Sequence, residues 1–156
     1  MFRVSRRVDY GLRLLIALAA DQNTGSQATS RLADRLDIPL AFLHQIGRSL
    51  IQAGILRSSP GPGGGLRLNQ PADDITLLQV LEILDGPVRL SACLEQPDCS
   101  EDPDQPSARA WANIQESLVD QMSQIRLNYL VEQAKAQAAI YFPINEYSAS
   151  SKALAV

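Results

Sequence analysis

Apolar residues recur at helical spacing in the first stretch of the chain, SRRVDYGLRLLIALAADQ (residues 5–22). This periodicity predicts an amphipathic helix, and Ser5 is a residue type that caps helix N-termini. The polar run NTGSQA at 23–28 then predicts a turn. The predicted core face of this helix is formed by Val8, Leu12, Leu15, Ile16 and Ala19.

Residues 29–56, TSRLADRLDIPLAFLHQIGRSLIQAGIL, predict a short helix and a longer one joined by a tight turn. Thr29 or Ser30 would cap the first helix, and Pro39 suits the first position of the second. Gly54 stands where a helix stops. The predicted buried residues are Leu32, Ala33, Leu36, Leu43, Ile46 and Leu50. The opposite face of the second helix shows Ala41, His44, Gln45 and Arg48, which is typical of a helix–turn–helix.

Residues 55–68, ILRSSPGPGGGLRL, alternate around a Gly/Pro loop and predict a β-hairpin. A hairpin directly after a helix–turn–helix is a wing. The loop is no P-loop, since no Gly-Lys-Ser/Thr follows it, and Leu66 stands where a dinucleotide fingerprint needs glycine. Glycines at 63–65 would let the backbone lie close to a DNA groove; a flexible turn is the alternative.

The second half predicts two further helices separated by a loop. DDITLLQVLEILDG (73–86) is a short helix, and a long helix starts at Pro106 or Ser107. Its apolar residues recur at steps of 3, 4, 4, 3 and 4, a coiled-coil-like seam that favours a homodimer; packing on the first helix is the alternative. The seam comprises Trp111, Ile114, Leu118, Met122, Ile125 and Tyr129.

The predicted fold is therefore mainly α with a small β-hairpin wing: a winged helix–turn–helix domain plus a long dimerisation helix. We divide the chain into a DNA-binding domain (1–86), a cysteine-containing sensor loop (87–106), the dimerisation helix with a C-terminal helix (107–141) and a flexible tail (142–156).

Charge is divided unevenly along the chain. Residues 1–70 carry nine arginines against four aspartates, whereas residues 71–156 carry five basic and thirteen acidic residues. A basic half joined to an acidic half indicates that one end meets a polyanion. No apolar run approaches the ~20 residues of a membrane span, and no signal peptide is evident, so we expect a cytoplasmic protein. No nucleophile–base pair or hydrolase metal motif is present, and an enzyme is not expected.

Both cysteines lie in SACLEQPDCSEDPDQPSARAW (91–111), with five residues between Cys93 and Cys99. A further equal step reaches Gln105. Three interpretations stay open: a metal site with one member missing, a Cys93–Cys99 thiol switch, and two ordinary loop cysteines.

Together these features resemble the bacterial winged helix–turn–helix regulators that include the iron–sulfur regulator IscR, the nitric-oxide sensor NsrR and the cysteine-metabolism repressor CymR. The resemblance covers residues 2 to about 135. It is carried by DYGLRLLIALA, LADRLDIPLAFLHQI, AGILRSSPGPGGGLRL, ITLLQVLEILDG, the Cys-x₅-Cys loop and AWANIQESL. It implies a homodimeric transcriptional regulator that reads a roughly palindromic double-stranded operator, with no membrane association.

The resemblance also implies an iron–sulfur cluster, of the [2Fe-2S] type, at the cysteine loop. Cluster-binding members carry three cysteines at this spacing, and IscR adds a histidine three residues later; this chain has Gln105 and Ala108 there. NsrR takes a carboxylate from the partner's first helix, and Asp9 occupies the matching position. The implied ligands are thus Cys93, Cys99 and the partner subunit's Asp9, with Glu101, Asp102 or Asp104 available for an open position.

For DNA, the resemblance and the helix–turn–helix pattern together place His44 and Gln45 at base edges and arginines at phosphates. His44 replaces an acidic residue of IscR, and Pro60 replaces a wing arginine of the family, for which Arg57 or Arg67 would compensate. A winged helix that binds only another protein is the rival hypothesis. The full set of predicted DNA contacts is Arg6, Arg7, Thr29, Ala41, His44, Gln45, Arg48, Arg57, Gly63, Gly64 and Gly65.

Overall fold

The computed structural model describes residues 3–21, 25–95 and 106–141, without the side chains of Cys93, Glu95 and residues 138–141. Over these ranges the fold is mainly helical with one two-stranded antiparallel hairpin, as predicted. Its elements are α1 (Arg6–Ala20), α2 (Thr29–Leu36), α3 (Leu40–Gln52), β1 (Leu56–Ser59), β2 (Gly65–Leu68), α4 (Leu77–Asp85), α5 (Ala108–Gln124) and α6 (Leu127–Tyr141). A short 3₁₀ helix spans Ala92–Glu95.

Helix α1 is the centre of the core. Ser5 caps it as predicted, because the Val8 N–H donates to the Ser5 Oγ at 3.3 Å. Leu14 and Leu15 are fully buried, while Leu12, Ile16 and Ala19 of the predicted face are only partly so. The buried stripe is wider than the sequence indicates because α3, α4 and α6 all pack on α1.

The α2–α3 unit is a helix–turn–helix with a left-handed residue in its turn. Asp37 adopts φ 52°, and the Ile38 N–H then donates to the Ala33 carbonyl at 3.0 Å, which buries Ile38. The predicted Thr29 or Ser30 cap is wrong. Thr29 is already the first helical residue, and Ala28 before it supplies no capping side chain.

The wing pairs β1 with β2 from Leu56–Leu68 to Ser59–Gly65. A third segment joins its edge: the Gln27 N–H donates to the Leu66 carbonyl at 2.9 Å, and the Leu66 N–H donates to the Gln27 carbonyl at 2.8 Å. The wing is thereby fixed to the residues that lead into α2.

Two helices follow residue 106, but the predicted helical seam from Trp111 to Tyr129 does not lie on one of them. Helix α5 ends at Gln124, Ile125 is extended, and α6 folds back onto α1. The Leu77 N–H donates to the Ile125 carbonyl at 2.9 Å, and the Leu127 N–H donates to the Ile75 carbonyl at 2.8 Å. Breaking the helix satisfies these backbone groups and buries Leu127 to 1% exposure.

Several sequence predictions fall on residues that the structure does not describe. These are Cys99, Glu101, Asp102, Asp104, Gln105, the tail 142–156 and the side chain of Cys93. Among the helices that are described, none is long and apolar enough to cross a membrane.

Candidate nucleic-acid interface

Helix α3 divides cleanly into a buried side and an exposed side. Leu43, Ile46 and Leu50 have no exposed surface. Successive helical residues turn by about 100°, so Ala41, Gln45 and Arg48 lie on the opposite side, where all three are exposed. The predicted reading face is therefore available to a ligand.

A hollow of about 370 Å³ separates α3 from the wing. His44 and Arg48 line it from the helix, Ser58 and Ser59 from β1, and Thr29 from the start of α2. Three of the predicted DNA contacts, Thr29, His44 and Arg48, thus line one groove, together with the two serines that follow Arg57. Its hydroxyl, imidazole and guanidinium groups are donors suited to phosphate oxygens and base edges.

A second hollow, of about 570 Å³, lies between α2 and the wing loop. Arg31 and Arg35 line it from α2, and Gly61, Gly63 and Gly64 line it from the loop. Arg35 pairs with Asp21 at 2.7 Å. Arg31 was missed by sequence reasoning, although its i, i+4 spacing from Arg35 places two cations on one face of α2.

The wing glycines adopt a backbone that side chains rarely allow. Gly61 has φ 86° and Gly63 has φ 77°, and both have open space where a side chain would project. The wing loop therefore presents bare backbone to solvent at Gly61 and Gly63.

Two arginines lie directly opposite each other in the hairpin, since Arg57 pairs with Arg67. Like charges at such positions repel each other and destabilise a sheet. Arg57 is exposed, and the Nε of Arg67 is buried with no hydrogen-bond acceptor among the described residues. An anionic ligand at the wing would relieve this concentration of positive charge.

Arg7 does not have the position predicted for a phosphate contact. It is half-buried, and its Nη2 donates to the Ser49 Oγ at 2.7 Å. Beside it, the Tyr10 ring packs edge-on against Phe42 with centroids 5.7 Å apart. Arg7 thus holds α3 against α1, whereas Arg6 is exposed.

The described part of the cysteine region starts beside α1 and α5. The Ser5 Oγ donates to the Asp85 Oδ1 at 2.7 Å, so the end of α4 lies next to the start of α1. The Leu90 N–H donates to the Gln115 Oε1 at 3.0 Å, which connects the segment before Cys93 to α5. Asp9 is exposed on the first turn of α1.

No metal-binding group of three histidine, cysteine or acidic side chains occurs among the residues that are described. Ala108, at a position where the sequence resemblance implies a cluster ligand, has no side-chain donor atom and is 2% exposed. The ligand set that the resemblance implies is therefore incomplete at residue 108.

The predicted dimerisation residues are divided among different environments. Trp111, Ile114 and Tyr129 are exposed, whereas Met122 is buried in the chain's own core at 6% exposure. Met122 is therefore a core residue, contrary to the prediction. Leu118 is partly buried against the core, and Ile125 lies at the break between α5 and α6.

Comparison with known proteins gives the same fold. CymR of Staphylococcus aureus is 28% identical and has a TM-score of 0.65 over 82% of this chain and 97% of its own. The structure described as CymR (YrzC), the global cysteine regulator of B. subtilis, has a TM-score of 0.68 at 23% identity, over 85% of this chain and 98% of its own.

Sequence relatives are transcriptional regulators rather than enzymes. IscR of Klebsiella pneumoniae is 26% identical over 129 residues, which are 83% of this chain and 79% of that protein. IscR of Photobacterium profundum is 30% identical over 97 residues, 62% of this chain and 56% of that protein. The profile of the Rrf2 family, described as "Iron-dependent Transcriptional regulator", matches residues 4–133. The chain therefore belongs to the Rrf2 family of transcriptional regulators.

Proposed function

We propose that this regulator acts in the cytoplasm as a homodimer on a roughly palindromic operator, with its DNA affinity modulated at the Cys93–Cys99 loop. Two α3 helices would enter successive major grooves about one turn apart. His44 and Gln45 would face base edges, while the glycines at 63–65 would lie along the minor groove.

The observation that carries this proposal is the grouping of exposed donors around the α3–wing groove. Gln45 and Arg48 are exposed on the outer side of α3, and His44 and Arg48 also line the hollow against β1. Arg6, Arg31 and Arg57 are also exposed. All three belong to residues 1–70, where basic residues outnumber acidic ones. Most affinity for DNA comes from such phosphate contacts, and specificity comes from base-edge donors.

We expect Arg48→Ala to weaken operator binding and to lower the slope of log K against log salt by about 1, because one phosphate contact is lost. The measurement is a fluorescence-anisotropy titration on the chain's own upstream DNA at several salt concentrations. Arg109→Ala, an exposed arginine on α5, is the matched control and should leave the slope unchanged.

An unchanged slope for Arg48→Ala would remove that residue from the phosphate contacts. If the wild type bound no DNA at any salt concentration, the rival function, a winged helix that binds only another protein, would replace the operator model.

The dimer part of the proposal rests on unpaired apolar surface. Trp111 and Ile114 are 45% and 51% exposed on α5. Large exposed apolar side chains that are neighbours on one helix mark interaction sites more often than isolated ones do. A twofold pair would also supply the two reading helices that a palindrome needs.

At the cysteine loop we propose an iron–sulfur cluster held by Cys93, Cys99 and the partner subunit's Asp9. Thiolates suit iron in kind, but Gln105 and Ala108 leave the usual ligand number unfilled. When bound, such a cluster would supply sensitivity to oxidants. The described residues that precede the loop contact both helices that it would have to influence, because the Leu90 N–H donates to Gln115 of α5 and the Ser5 Oγ at the start of α1 donates to Asp85.

An anaerobic preparation tests this part. We expect iron and sulfide in equal amounts, with visible absorption bands that disappear in Cys93→Ala. A colourless, metal-free protein that still binds its operator would eliminate the cluster. Counting thiols before and after peroxide would then separate a Cys93–Cys99 switch, which loses two thiols, from a regulator with no sensor at this loop.

A further inference from the structure

Four apolar residues in succession are exposed at the start of α3. Pro39, Leu40, Ala41 and Phe42 form this run, which we call the apolar tip. Leu40 is 44% exposed and Phe42 is 36% exposed. A run of exposed apolar residues on a helix is unfavourable in water and marks a binding function where it is retained. The apolar tip is therefore a candidate contact surface at the N-terminal end of the reading helix.

The chain's own packing accounts for one member of the apolar tip. The Phe42 ring lies edge-on to the Tyr10 ring of α1, with centroids 5.7 Å apart. Leu40 and Ala41 belong neither to the core cluster of the described residues nor to the partly buried residues that pack on it. These two side chains are therefore the ones left for a partner from outside the chain.

The apolar tip continues the exposed side of α3. Successive residues turn by about 100°, so Gln45 lies only about 40° from Ala41 around the helix. By the same rotation, Arg48 projects between the directions of Leu40 and Ala41. Gln45 and Arg48 are both exposed. A partner that meets these polar side chains, one and two turns along the helix, also meets the apolar tip.

Thymine is the partner whose chemistry matches both parts of this surface. Its C5-methyl group is the apolar group that base edges present in the major groove, among hydrogen-bond donors and acceptors. The N-terminal residues of a reading helix are the ones that contact base edges. A purely apolar protein surface would instead bury the polar ends of Gln45 and Arg48 without partners, which is costly.

We propose that Leu40 and Ala41 read the C5-methyl groups of thymines in each half-site, next to the base pair that Gln45 faces. The inference rests on the operator binding proposed above and adds a base preference to it. Gln45 lies about 6 Å along the helix axis from Ala41, and the bases of one strand are about 3.4 Å apart. The apolar tip and Gln45 thus reach base pairs within about two steps of each other.

Leu40 carries most of this preference. Its branched side chain offers more apolar surface to a methyl group than the single Cβ of Ala41 does. Nearly half of Leu40 is already in water, so its truncation removes the contact surface while α3 stays anchored by its buried side. A loss of binding in Leu40→Ala therefore reports the contact with DNA rather than unfolding.

Deoxyuridine tests the contact, because it lacks only the C5-methyl group of thymine and keeps the other groups that the major groove presents. Footprinting on the chain's own upstream DNA locates the half-sites, and each thymine in them is replaced by deoxyuridine in turn. For the wild type, we expect anisotropy titration to show an affinity about fourfold lower at the thymine beneath the apolar tip, the factor for burying one methyl group.

Leu40→Ala should bind the thymine operator more weakly than the wild type does. It should lose no further affinity on the deoxyuridine duplex, because both changes remove the same contact. Leu40→Met keeps an apolar side chain of similar volume and should retain the sensitivity to deoxyuridine. Val4→Ala, a truncation at 53% exposure outside α3, is the matched control and should behave like the wild type.

A wild type that binds every deoxyuridine duplex as tightly as the thymine operator would overturn this inference and leave the proposed operator binding intact. The same conclusion would follow if Leu40→Ala kept both the affinity and the deoxyuridine sensitivity of the wild type, and the apolar tip would then be left to a protein partner. A wild type that binds no DNA would overturn both the inference and the proposed function.

Discussion

Replacing Gly65 by alanine is expected to abolish operator binding, with the wing displaced from the start of α2. Gly65 has φ 150°, a conformation that side chains rarely adopt. An added Cβ would also overlap the backbone of Gln27 and Ala28. That backbone carries the two hydrogen bonds between Gln27 and Leu66, so the clash cannot be relieved without breaking the edge pairing. Anisotropy titration on the operator and thermal melting measure the two consequences.

Gly47→Ala is the matched control for Gly65→Ala. Gly47 lies inside α3, and a Cβ there would meet Leu66 Cδ1 at an ordinary 3.5 Å. Alanine is favoured over glycine in a helix interior by up to about 1 kcal/mol, so this variant should be at least as stable as the wild type. If Gly65→Ala bound and melted like Gly47→Ala, the wing would not depend on its pairing with residue 27.

Leu50→Ala is expected to lower the free energy of unfolding by about 2–5 kcal/mol, because Leu50 has no exposed surface and its removal leaves a cavity. For a chain of this size each kcal/mol lowers Tm by roughly 2–4 °C. Urea unfolding followed by circular dichroism measures the loss. The reading helix would be the first element affected, since Leu50 anchors α3 in the core.

Leu40→Ala makes the same chemical change on the same helix at a position that is 44% exposed. Its expected cost is well below that of Leu50→Ala, because nearly half of the Leu40 side chain is already in water. Equal losses for the two variants would contradict the burial of α3 described above.

The DNA-reading unit is the part of the protein that its sequence predicts best. The stripe of Leu43, Ile46 and Leu50 repeats at helical spacing, and burial of that stripe leaves only one side of α3 for Gln45 and Arg48. The tight turn between α2 and α3 and the hairpin of the wing follow from local residue chemistry in the same way. Such features depend on neighbours within a few residues, so they can be predicted from the local order of residues in the sequence.

The predictions from sequence failed where contacts with residues distant in the chain determine the local structure. The apolar steps from Trp111 to Tyr129 predict one long helix, but backbone bonds from Ile75 and Leu77 end it at Gln124. The sequence predicts an unpaired cation at Arg7, but in the structure Arg7 donates a hydrogen bond to Ser49 of α3. Neither contact can be predicted from the local spacing of apolar residues, because the partners are distant in sequence.

What the sequence determined by itself is therefore the order of the elements, the buried face of each reading-unit helix and the excess of arginine in the first half. Only the tertiary structure decided which arginines remain exposed, which seam residues enter the core, and that the apolar residues at the start of α3 stay exposed. The physical reason is that periodicity specifies which side of a helix is apolar, whereas the choice between the chain's own core and another surface depends on how the remaining elements pack.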